Sequence, residues 1–206
     1  MSETGRIEAF SDGVFAIAIT LLVLDLKVPR AFQDGRTLAS SLVAMWPSYL
    51  AFVTSFATIL IMWINHHRMF TLIGRADDRV MFYNGLLLLG VTIVPFPTAL
   101  VAEYLRHDGQ NTAAAVYNGT FIFIAICYNL LWRTAAVNDR LLYAQASRHA
   151  VQRIFDAYRY GPLWYGVAFL LAFVSVTASL VVNLALAVFF ARPTAAERSS
   201  QRAVVK

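Results

Sequence analysis

Charge is scarce in this chain: of 206 residues only 14% are Asp, Glu, Lys or Arg, while 59% are hydrophobic. A soluble domain carries about 25% charged residues. With a mean hydropathy of +0.59, the composition is that of a polytopic membrane protein. Cysteine is nearly absent. Cys127, alone in an apolar run, excludes an intrachain disulfide and reads as a small packing residue. There is no zinc-ligand spacing, phosphate-cradling glycine loop or nucleophile elbow, so no enzyme chemistry is expected. No T-V-G-Y-G segment occurs, which excludes a cage of backbone carbonyls as an ion filter. No small-residue cleavage pattern follows Met1–Glu8, so the first apolar segment reads as a retained signal-anchor. The formal charge of +5 and pI of about 9.6 reflect arginine and lysine loading of membrane loops and do not call for nucleic acid.

What is present is a series of long apolar segments. Hydropathy places helices at Ile7–Leu26, Leu42–Ile64, Val80–Val101 and Thr112–Trp132, each near the roughly 20 residues a bilayer core requires. Pro47 falls in the opening turns of the second, where a missing N–H costs little. Pro95 and Pro97 come late in the third, which should kink or end there. The block Gly161–Ala191 has 31 uncharged residues, long for one span and short for two. Loop charge decides. With six spans, 13 of the 17 basic residues fall on the side of the termini, leaving Lys27, Arg30, Arg36 and Arg106 opposite; five spans divide them 9 to 8. The positive-inside rule prefers six, with both termini cytoplasmic. The last pair is then a tight hairpin turning near Thr177–Asn183, with a short final helix.

The predicted fold class is therefore all-α, with a six-helix transmembrane domain over residues 1–191. Within it, 137–160 alternates Leu141, Leu142, Val151, Ile154, Phe155 and Tyr158 with Arg140, Arg148, Arg153 and Asp156. That pattern predicts an amphipathic cytoplasmic helix at headgroup level. Residues 192–206 form a polar tail expected to be disordered. There is no internal repeat.

The first helix carries the most information. Arg6, Glu8, Ser11 and Asp12 lie in its opening turns, and a carboxylate there must face protein, water or the interface. At about 100° per residue, Ile17, Leu21 and Leu24 share a narrow arc with Thr20 at its edge, and Phe10 and Gly13 extend the stripe. Asp12 projects about 140° from Ile17, and Ser11 about 120°. Taken from the residues alone, the aliphatic stripe fits helix packing or lipid contact.

Arg6, Phe10, Ser11 and Asp12, spaced as R-x-x-x-F-S-D, resemble the signature first helix of the transmembrane protein 175 potassium-channel family. W-I-N-H-H-R at Trp63–Arg68 is similar to that family's second-helix pattern. The resemblance is strongest over Arg6–Pro29. It implies six spans, a homotetramer, and first helices lining a central pore. It also implies a hydrophobic constriction at Ile17, further pore-lining positions at Leu21 and Leu24, and a part for Thr20 in ion selectivity. A ring of isoleucines cannot replace an ion's hydration shell, so it blocks by dewetting when narrow. Selection then rests on partial dehydration, which favours potassium over sodium only modestly.

Asp12 and Ser11, turned away from the stripe, need buried partners. Candidates are Asn65, His66, His67 and Asn84. Adjacent helical histidines diverge by about 100° and do not share a metal, so His66 and His67 read as hydrogen-bonding groups. Asn118, Asn129 and Asn183 read as interhelical hydrogen-bond groups. Asp25 and Lys27 are placed to tune cation access from outside. Glu103, Arg106, His107 and Asp108 read as a solvated external loop.

The expected function is a potassium-permeable channel in a prokaryotic plasma membrane, with itself, membrane lipid and potassium ions as partners and no cofactor. Two rivals fare worse. A secondary transporter predicts inverted repeats and a charged midplane site, and an integral-membrane enzyme predicts clustered catalytic groups at one depth.

Overall fold

The computed structural model describes residues 3–29, 37–137 and 140–191, and these are helical throughout apart from short connections. Arg30, Arg36, Arg192, Arg198, Arg202 and Lys206, which enter the charge count, lie outside the described residues, as does the tail 192–206. Four stretches have the length and composition of membrane spans: Thr4–Asp25, Trp46–Phe70, Asp78–Tyr104 and Gln110–Ala136.

Helix α1 (Glu3–Leu21) begins a turn before its apolar run and tightens into a 3-10 turn at Leu22–Asp25. Residues three apart eclipse in that geometry, so Leu24 stands directly beyond Leu21. After a short α2 (Leu38–Ala44), capped by Thr37, α3 (Trp46–Phe70) starts with Pro47 in its first turn. Asp77 accepts from the Val80 amide at 3.0 Å and so caps α4 (Asp78–Ile93). The third span breaks where the prolines predict. Pro95 cannot donate to the Val91 carbonyl, which takes the Val94 amide at 3.2 Å instead. α5 (Pro95–Tyr104) continues beyond the break.

Helix α6 (Gln110–Ala136) is the centre of the bundle, packing most extensively against the helix Gly161–Leu171 and α4. Lipid tails are as apolar as leucine, so burial alone does not drive helices together in a bilayer; close approach and polar bonds must. Both are present. A Cβ on Gly90 would fall 2.7 Å from Ile124 Cγ1, so α4 and α6 meet closely there only because position 90 lacks one. Asn118 Nδ2 donates to Ser179 Oγ at 2.9 Å, Asn183 Nδ2 donates to Asn118 Oδ1 at 2.9 Å, and Ser179 Oγ donates to the Ala168 carbonyl at 2.8 Å. Asn129 Nδ2 reaches the Tyr158 carbonyl at 2.8 Å.

Two expectations need correction. The final apolar block does fold back, but over 172–175, ahead of Thr177–Asn183. Its shorter member is the first, α8 (Gly161–Leu171), followed by α9 (Val176–Ala191). Ser175 is the cause. Its hydroxyl accepts from the Ala178 amide at 3.3 Å and caps α9. Asn183, far from marking a turn, is buried on Asn118. Among the described residues of 137–160, the α-helix is confined to α7 (Arg148–Tyr158). Val151, Ile154 and Phe155 pack against the protein core. Leu141 and Tyr143 instead pair with the α3–α4 connection: the Gly74 amide donates to the Leu141 carbonyl at 2.8 Å and the Tyr143 amide to the Leu72 carbonyl at 3.0 Å.

Candidate functional site

Helix α1 packs against α3 and α4, and its two faces are treated differently. Glu8, Ser11, Asp12 and Phe15 recur at i, i+3, i+4 and i+7, the spacing of one helical face. Trp63, His66, His67 and Phe70 have the same spacing on α3. Laid antiparallel, the two stripes pair in register. His67 Nδ1 donates to Glu8 Oε1 at 2.6 Å and, one turn along, Trp63 Nε1 donates to Asp12 Oδ1 at 2.8 Å.

Between them lies a buried relay. His66, fully buried, donates from Nε2 to Asn84 Oδ1 at 2.9 Å; Asn84 Nδ2 donates to Ser11 Oγ at 3.0 Å; Ser11 donates to the Ile7 carbonyl at 2.8 Å. With Asn84 so oriented, the ring carries its proton on Nε2. The His66 ring lies between Phe70, stacked at 4.4 Å, and Phe15 at 5.4 Å. Its Nδ1 is buried with no partner among the described residues.

Of the four candidate partners, Asn84 therefore bonds Ser11, His66 is reached through Asn84, and His67 pairs with Glu8. Asn65 belongs elsewhere. Its amide points to the Phe190 carbonyl at 3.5 Å and its oxygen accepts from Arg68 at 3.2 Å, so it serves α9 and not α1. His66 faces inward and His67 outward. Trp63 as the partner of Asp12 and Glu8 as the partner of His67 were missed. The matching i, i+3, i+4, i+7 spacing in the two segments is the signal that could have found them.

The opposite face of α1 is uncovered. Ile17 is 57% exposed, Leu24 70% and Phe10 67%; Leu21, Thr20 and Gly13 are exposed with them. Thr20 Oγ donates to the Ile17 carbonyl at 2.9 Å, which leaves the lone pairs of its oxygen available on the outer side. Arg6 is exposed and makes no hydrogen bond or ion pair among the described residues. Beyond Leu24, Asp25 and Lys27 share a cavity of about 400 Å³ with Glu103.

An apolar stripe left bare on a membrane-length helix, with a hydrogen-bonded brace behind it, suits a subunit of a membrane channel. The comparisons agree. The model of the family described as endosomal/lysosomal potassium channel TMEM175 matches residues 6–95. A Chamaesiphon minutus protein named as a potassium channel is 59% identical over 191 residues, 92% of this chain and 94% of that relative. The crystal structure of a lysosomal potassium-selective channel TMEM175 homologue from Chamaesiphon minutus matches with a TM-score of 0.85 at 56% identity, covering 93% of this chain and 97% of that one. A Gallus gallus protein named endosomal/lysosomal proton channel TMEM175 is 32% identical over 143 residues, 66% of this chain but 28% of that protein. The chain belongs to the TMEM175 family, a family of ion channels.

Proposed function

We propose that this chain is one subunit of a potassium-permeable homotetramer in a prokaryotic plasma membrane, with both termini cytoplasmic. Each subunit contributes six spans, α8 and α9 forming the last pair, and the four copies of α1 surround the pore. No cofactor is required, and potassium is the permeant ion. Ile17 forms the hydrophobic gate, Leu21 and Leu24 continue the lining, and Thr20 supplies the hydroxyl ring that favours potassium modestly over sodium. Of the motif Arg6, Phe10, Ser11 and Asp12, it is Ser11 and Asp12 that set the helix in place, through Asn84 and Trp63.

One observation carries this reading: the stripe bearing Ile17, Thr20, Leu21 and Leu24 is bare in the single chain, while the Ser11 face behind it is buried and bonded. Potassium is preferred to protons as the permeant ion because the relative named for potassium matches along nearly its whole length, whereas the one named for protons is matched over 28%.

Reversal potentials in planar bilayers test the reading. Under a potassium–sodium gradient the wild type should reverse toward the potassium potential, and a pH gradient alone should leave the reversal potential near zero. Ile17→Asn should make the constriction wettable and raise resting conductance. Thr20→Val keeps the shape, removes the oxygen, and should reduce potassium preference without opening the gate. A tenfold change in ion ratio needs only about 1.4 kcal/mol. Unchanged leak in the first variant together with an unchanged reversal potential in the second refutes the assignment of this face to the pore. A reporter fused after Lys206 that works only outside the cell removes the six-span topology.

A further inference from the structure

We propose that the groove between α3, α5, α6 and α9 seats one glycerophospholipid, with an acyl chain along the groove and its phosphate on Arg106. The groove has a volume of about 330 Å³ and a mostly apolar lining. Its rim is made by helix ends: Trp46 at the start of α3, Arg106 just past α5, and Gln110 at the start of α6. Its floor is two turns deeper, at Thr54, Tyr117 and Leu184. At 1.5 Å per residue, Trp46 to Thr54 spans about 12 Å, close to the roughly 15 Å of hydrocarbon in one leaflet. The groove thus runs from headgroup level to the depth an acyl chain occupies.

An apolar groove of this size holds water poorly, and in a bilayer the available filler is hydrocarbon. The rim specifies the other end of the occupant. Gly109, at φ +96°, allows the tight turn from α5 into α6 that carries Arg106 to this edge. The Arg106 side chain is exposed and makes no hydrogen bond or ion pair among the described residues. Glu103, the nearest acid before it in sequence, lines the separate cavity at Asp25. Asp108 is exposed on the same turn and is absent from the lining of the groove. A guanidinium facing a lipid-filled slot at headgroup level matches a phosphate, which it binds in a forked pair. Trp46 beside it is the residue type that settles at that level. A free anion would use only the rim and leave the groove unfilled, so the lipid is the occupant.

Native mass spectrometry of the purified oligomer in detergent, with palmitoyl-oleoyl phosphatidylglycerol added, counts the retained lipid. The wild type should hold one lipid per chain. Ala51→Phe, which fills the groove, should abolish retention. Arg106→Gln, which removes an exposed side chain and leaves the fold intact, should weaken it about fivefold. Arg148→Gln, exposed on α7 and outside the groove, should leave it unchanged. Equal retention in wild type, Ala51→Phe and Arg106→Gln overturns the proposal. So does an Ala51→Phe oligomer that dissociates with its lipid count per chain unaltered, because the groove would then be a contact between copies.

Discussion

Helices α1 and α6 are both apolar and both long enough to cross a membrane, yet 22% of the apolar window of the first is buried against 56% of the second. Helix α6 is enclosed by its own chain: it touches α4, α5, α7, α8 and α9. α1 is held on one side only. Hydropathy does not separate them; the pattern of small and polar groups does. α6 places Ala113, Ala114, Ala115 and Asn118 where neighbours come close, whereas α1 gathers its polar groups on one face and leaves branched aliphatics on the other. A helix of the first kind completes a subunit. One of the second kind keeps an apolar face free of its own chain.

The contrast is broken most severely at α6. Phe121→Ala removes a buried ring that packs on Tyr117 at 4.7 Å and Tyr165 at 5.6 Å. Lost transfer energy and the cavity left by the ring together put the loss at about 3–5 kcal/mol. Thermal unfolding of the detergent-solubilised protein should show it, while Ile17→Ala on the bare stripe should shift the midpoint little. A comparable shift from Ile17→Ala would mean that the stripe is a packing surface.

The braced face of α1 should rank next. Asn84→Leu leaves His66 Nε2 without an acceptor and Ser11 Oγ with only its bond to the Ile7 carbonyl, at about 1–3 kcal/mol for a buried group left unpaired. Asp12→Ala should likewise lower the yield of folded, assembled protein more than it alters ion preference, and Trp63→Phe, which removes only the indole donor, should reproduce a part of that loss. Normal assembly of Asp12→Ala with altered selectivity would move Asp12 from the brace to the ion path. The smallest effect is expected at Thr20→Val, whose hydroxyl bonds only its own helix. Its unfolding midpoint should match wild type within experimental scatter.

Much of this contrast was legible in the residues. The two faces of α1 follow from helical angle alone, and the break at Pro95 from a missing amide. What hydropathy could not convey was anything decided by a single hydroxyl or ring. Ser175 ends the α8–α9 turn by capping, yet in an uncharged block it does not interrupt the apolar average. Trp63 counts as apolar on such a scale, although its one N–H is what Asp12 requires. Asn65 sits beside His66 in sequence, but about 100° of helical rotation sends it to a different neighbour. The extent of α7 was overdrawn because Leu141 and Leu142 fit a helical period while their backbone is committed to the α3–α4 connection.

That last pairing has a kinetic side. Gly74 and Tyr143 lie far apart in sequence, and their amides are engaged only once α4 and α6 have come together and closed the long loop between them. A Cβ on Gly74 would fall 2.8 Å from the Tyr143 ring, so any larger residue there requires that ring to shift. Slow hydrogen exchange at these two amides thus marks a chain whose assembly is complete, and fast exchange marks one in which individual helices have formed but have not yet docked.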